Sequence, residues 1–135
     1  MIQWPEVLET GYPEIDDDHR RLIEACNGLT RLAGEHGPWG EIVKSSQALM
    51  RSFSEHFRAE EQLLERTEFP RIDAHKAQHH RLEDQLKQLT GFLSSVDGSQ
   101  PEHWGAIKSL RNTLVETLFR HDLDYKSHLE QIAGR

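Results

Sequence analysis

A single cysteine, Cys26, stands in these 135 residues, so no internal disulfide can form. The fold must therefore rest on a packed core. A chain of this length buries roughly two-thirds of its surface and needs no covalent staple. The lack of disulfides fits a reducing compartment, and a cytoplasmic protein is expected. There is no run of basic residues, and the net charge is −7. That argues against a nucleic-acid partner and against attraction to an anionic membrane surface. No apolar stretch approaches the roughly 20 residues that span a bilayer. The opening MIQWPEVLE has neither the basic nor the apolar region of a secretory signal. Nothing alternates with the period of a strand, and no internal repeat or low-complexity tract interrupts the chain. One domain over residues 1–135 is the expectation.

Helical periodicity, in contrast, runs through most of the chain. After an N-terminal arm (Met1 to Tyr12), a first helix begins at Ile15, with Leu22, Ile23, Cys26, Leu29 and Ala33 on one stripe. Asp16 to Asp18 put negative charge at its start, where the helix dipole favours it. Gly34, Gly37, Pro38 and Gly40 end it. A second helix is expected from Trp39 to Arg66, a third from Arg71 to Leu93, and a fourth from Glu102 to Ile132. Phe69-Pro70 and the turn-rich Ser94 to Pro101 separate the last three. Four helices with short connections predict an all-α, antiparallel up-down four-helix bundle. Cys26 reads as a buried core thiol.

Nine histidines are more than packing calls for. Four residues of interest form two pairs, each four apart: His56 and Glu60 in HFRAEE, and His75 and His79 in HKAQH. At about 100° per residue, positions four apart stack on one helix face. Either pair alone could be a surface pair. Two pairs on adjacent antiparallel helices, with further His and Asp available, aim imidazole and carboxylate groups at a shared point, as a metal site requires. A site rich in both donors suits two iron or manganese ions. The HExxH of zinc proteases is absent, and no Glu has a His three residues later, which argues against a ferritin-like di-iron bundle. Glu61, rotated about 100° from Glu60, reads as solvated or as a contact of a ligand rather than a ligand. His36, His80, His103 and His128 are expected at the surface.

The order Trp4, Gly11, Ile15-Asp16-Asp17-Asp18-His19, then His56-Phe57-x-x-Glu60-Glu61, Phe69-Pro70, His75-x3-His79, and Asp122-x-x-Tyr125-x-x-His128-Leu129 resembles the hemerythrins, specifically the short bacterial single-domain type. The resemblance spans roughly Gln3 to Leu129. It implies a non-heme centre of two Fe ions inside the bundle. His19 and His56 would hold one iron and His75 and His79 the other. Glu60 and Asp122 would bridge them together with an oxo or hydroxo group. The implied partner is dioxygen or another small diatomic or peroxide ligand. Oligomeric state is left open, with a monomer expected.

The fourth helix departs from the family pattern. Where the family has a fifth histidine, five residues before the bridging aspartate, this chain has Thr117. Where the family tends to have Trp, it has Thr113. His121 could swing in as the replacement ligand, or Thr117 could leave the second iron with an open position beside a more polar, roomier pocket. A reversible dioxygen binder (carrier, store or sensor) is the reading the ligand set favours over an enzyme. The alternative is a di-iron redox enzyme, acting on peroxide, nitric oxide or ferrous iron through an opened position near Thr117. A bundle with impaired metal binding is the third possibility.

Overall fold

The computed structural model describes residues 10–120 and 125–133, without the side chains of 119, 120 and 133. The described residues form α1 (Pro13–Gly34), α2 (Trp39–Arg66), α3 (Ile72–Ser95), α4 (Pro101–Arg120) and α5 (Lys126–Ala133). The first two helices follow the expected bounds closely, and the third is displaced by a residue or two at its ends. The single helix expected from 102 to 132 is instead described as two, α4 and α5, on either side of residues outside the described set. Helices α1 and α3 each pack against α2 and α4, which is the ring of neighbours of an up-down bundle.

Local chemistry explains the ends of these helices. Pro13 occupies the first turn of α1, where its missing N–H costs nothing. Asp16 is not simply a solvated charge facing the dipole. It is buried, and its carboxylate accepts hydrogen bonds from the Thr10 and Gly11 amides and the Thr10 hydroxyl at 2.9–3.2 Å, tying the chain before α1 to the helix. Helices α1 and α2 stop in the same way. His36 and Glu68 take left-handed φ values of 49° and 58°. The amides that follow, Gly37 and Phe69, then reach back to the Leu32 and Leu64 carbonyls at 2.9 Å. Such a turn satisfies helix-end carbonyls, but it usually uses glycine at the left-handed residue. In the α3–α4 loop that residue is Gly98 (φ 80°), where an added Cβ would lie 2.7 Å from the Trp39 ring.

The apolar interior is divided. The larger cluster includes Leu22, Ile23, Cys26, Leu29, Phe53, Phe57, Leu86, Leu110, Leu114 and Leu118. A smaller one, Ile15, Leu63, Leu64, Phe69, Tyr125 and Leu129, closes the other end and recruits α5. Between them lies a layer of buried polar side chains.

Candidate metal centre

That layer consists of His19 from α1, His56 and Glu60 from α2, and His75 and His79 from α3, each at most 1% exposed. The helical spacing works as expected: two turns of α2 and two of α3 present their donors inward at the same level. Glu60 lies at the centre. Its Oε2 is 2.5 Å from His56 Nε2 and 3.5 Å from His19 Nε2. Its Oε1 is 2.9 Å from His75 Nε2 and 3.2 Å from His79 Nε2. Each carboxylate oxygen thus faces its own pair of imidazoles. The groups His19–His56–Glu60 and Glu60–His75–His79 each bring their ligand atoms within 4.8 Å of one another.

The donor set fits a cation better than it fits itself. A buried carboxylate is costly unless it is compensated. Burial alone would raise the Glu60 carboxyl. The charge of His56 and hydrogen bonds from His19, His56 and His75 outweigh burial and hold the group well below its ordinary 4.5. Meanwhile the Nε2 atoms of His19 and His56 face each other at 3.2 Å, with at most one proton able to sit between them. His75 Nδ1 is buried with no hydrogen-bond partner among the described residues. Four imidazoles converging on one carboxylate are a ligand set for divalent transition metals, and thiolate takes no part. Cys26 sits in the larger apolar cluster, where burial, opposed by the charge of Arg111, pushes its thiol up to about 12.

Several further groups orient this set, of which the sequence reading offered Glu61 as a contact of a ligand. Asp18, taken from the sequence as a charge at a helix start, places Oδ2 2.5 Å from His56 Nδ1. Burial pulls the Asp18 carboxyl up, but His56 and Arg21 outweigh it and leave it below its ordinary 3.8. Glu61 is buried against the site, with Oε2 3.1 Å from His79 Nδ1. Arg58 links Glu61 at 2.8 Å to Glu83 at 2.7 Å. The Tyr125 hydroxyl donates to Glu60 Oε2 at 2.6 Å. Phe57 stacks on His79 with ring centroids 4.2 Å apart. Carboxylates behind metal-binding histidines fix the ring orientation and raise ligand basicity.

Other expectations fare differently. His36 and His80 are exposed, as read from the sequence. His103 is buried, and its Nδ1 accepts the Gly98 and Gln100 amides. His128 is half-buried beside the Thr67 hydroxyl at 3.0 Å. Thr117 is buried, and its hydroxyl donates to the Thr113 carbonyl at 2.8 Å, so α4 offers no nitrogen donor there. His121 and Asp122 lie outside the described residues.

This bundle, with two His-rich triads sharing one glutamate, defines a class. The family model of the hemerythrin HHE cation binding domain matches residues 10–131, and the chain belongs to the hemerythrin family of non-heme di-iron oxygen-binding proteins. Among relatives, the bacteriohemerythrin of Stenotrophomonas maltophilia (strain R551-3) is 29% identical, covering 98% of this chain and 87% of that protein. The myohemerythrin of Theromyzon tessulatum is 22% identical over 94% of this chain and 92% of its own length. Myohemerythrin-1 of Phascolopsis gouldii is 25% identical, with coverages of 93% and 92%. A crystal structure of wild-type hemerythrin superposes with a TM-score of 0.79 at 24% identity, over 96% of this chain and 98% of that one, a likeness of fold.

Proposed function

We propose that this chain is a single hemerythrin-like domain that binds dioxygen reversibly at a pair of iron ions, in a cytoplasmic setting. In this reading His19 and His56 hold one iron, His75 and His79 hold the other, and Glu60 and Asp122 bridge them. The observation that carries it is Glu60, whose two oxygens each face a separate pair of buried histidines. The iron pair would supply the electrons that reversible dioxygen binding draws on.

The rest is the work of the chain. Asp18 and Glu61 hold the His56 and His79 rings through their Nδ1 atoms. Tyr125 fixes the Glu60 carboxylate between the two pairs. Phe57, together with the smaller cluster around Phe69 and Leu129, keeps apolar surface against the histidine layer. Restricted water and proton access is what reversible binding requires.

One observation favours a redox enzyme as the second reading. The buried Thr117 hydroxyl is bonded to its own helix, leaving that position without a ring nitrogen. Anaerobic loading with ferrous iron, followed by air and an optical spectrum, separates the readings. A charge-transfer band that appears with oxygen and disappears on deoxygenation is expected. Rapid irreversible oxidation supports the enzyme, and failure to take up iron overturns both.

A further inference from the structure

Far from the histidine layer, a cavity of about 290 Å³ opens between the C-terminal part of α1 and the N-terminal half of α4. Leu29, Ala33, Ile107 and Trp104 form its apolar wall, and Lys108 and Arg111 bring charge to it. Leu29 lies ten residues beyond His19 on α1, about 15 Å along the axis. The pocket is therefore separate from the candidate metal centre.

The sign of its charge is unusual for this molecule. The chain has 23 acidic and 16 basic residues, yet no carboxylate among the described residues lines the pocket. The cleft between α1 and α2, by contrast, sets three carboxylates, Glu14, Asp18 and Glu55, against Arg21. Arg111 is half-buried at the pocket wall, and a guanidinium fork is shaped to receive a carboxylate. One end of the pocket, on the same stripe of α4 as these cations, is already built. The Trp104 ring is stacked on His36 with centroids 4.2 Å apart, and its indole N–H donates to the Gly98 carbonyl at 2.9 Å. An apolar wall with a few convergent polar groups is the usual form of a small-molecule site.

We propose that this pocket binds a medium-chain monocarboxylate. The carboxylate sits on Arg111 and Lys108, and the apolar body lies along Leu29, Ala33 and Ile107 toward Trp104. At roughly 30 Å³ per water-sized unit, the cavity takes a ligand of roughly ten non-hydrogen atoms. Octanoate is therefore the probe, with octanamide as its uncharged counterpart and inorganic phosphate as an anion lacking the apolar body.

The test is calorimetric titration of the iron-loaded protein with each of the three. Saturable one-to-one binding of octanoate is expected, weaker by roughly tenfold or more for octanamide and for octanoate on Arg111→Gln. Ala33→Met, which fills the cavity without touching the cations, should abolish binding, and phosphate should not bind. A thermal melt of each variant checks folding, and Ala33→Met decides the matter if Arg111→Gln does not fold. No saturable octanoate binding at millimolar concentration overturns the proposal. So does equal affinity for octanamide or phosphate, or binding that both variants leave unchanged.

Discussion

The two ends of the bundle stabilise the same helices by opposite means. One end is filled by apolar side chains such as Leu29, Ile42, Leu93, Ile107 and Leu110, and there burial does most of the work. Toward the other end, five polar residues occupy the centre, capped by a small cluster of six buried side chains among the described residues. The first end is a core in which shape decides. In the second, every contact depends on the protonation and orientation of its neighbours. The comparison teaches that the histidine layer is an exception inserted into a working bundle, supported from behind by Asp18, Glu61 and Tyr125.

The strongest way to break the comparison is Glu60→Ala. It removes the carboxylate that, among the described residues, both histidine pairs share, so metal content should fall from near two equivalents to below one, as elemental analysis will show. Two equivalents in the variant would refute the shared bridge. Leu110→Ala at the apolar end should do the reverse. It should cost about 2–5 kcal/mol in denaturant unfolding while leaving metal stoichiometry intact. If it also empties the site, the two ends are not separable.

Asp18→Asn sharpens the contrast further. Replacing the anionic acceptor on His56 should weaken metal affinity roughly 10- to 100-fold in chelator competition, with little change in fold. Acid should expose the same asymmetry in the metal-free protein. Glu60 and Asp18 both have carboxyls held below their unfolded values, so the folded state binds fewer protons than the unfolded one. Their contribution is complete above the ordinary carboxylate range and is lost as pH falls through the lowered values. Glu60→Gln should flatten that acid slope, read as unfolding midpoint against pH, and an unchanged slope would contradict the assignment.

The smallest effect compares the two left-handed helix ends. Glu68→Gly should stabilise by about 1 kcal/mol, because a side chain in that conformation is strained. His36→Gly should gain less in the same melting experiment, since it forfeits the stacking on Trp104.

Much of this could be read from the chain. The 3.6-residue stripes gave three of the helices nearly to their ends, and the four-residue spacings picked out His56, Glu60, His75 and His79, which the structure gathers around one carboxylate. Periodicity reports which face of a helix a residue occupies, and that was enough here. It does not report which residue on another helix stands opposite. Asp18 is 38 residues from the ring it supports, and Tyr125 is 65 residues from Glu60. His103 was misplaced for a related reason, since its acceptor role depends on how the Gly98 loop folds over it.

The Tyr125 contacts carry a consequence in time. Its hydroxyl meets Glu60 across 65 residues and His19 Nε2, at 3.4 Å, across 106, so helices from opposite ends of the sequence meet at one point. Contacts between remote segments close late in folding, because the entropy of bringing them together is lost before they repay it. The long helices can pair with their neighbours in sequence while the histidine layer is still open at one end. Tyr125 immediately precedes α5, so the docking of that helix and the closing of the histidine layer at this end are coupled.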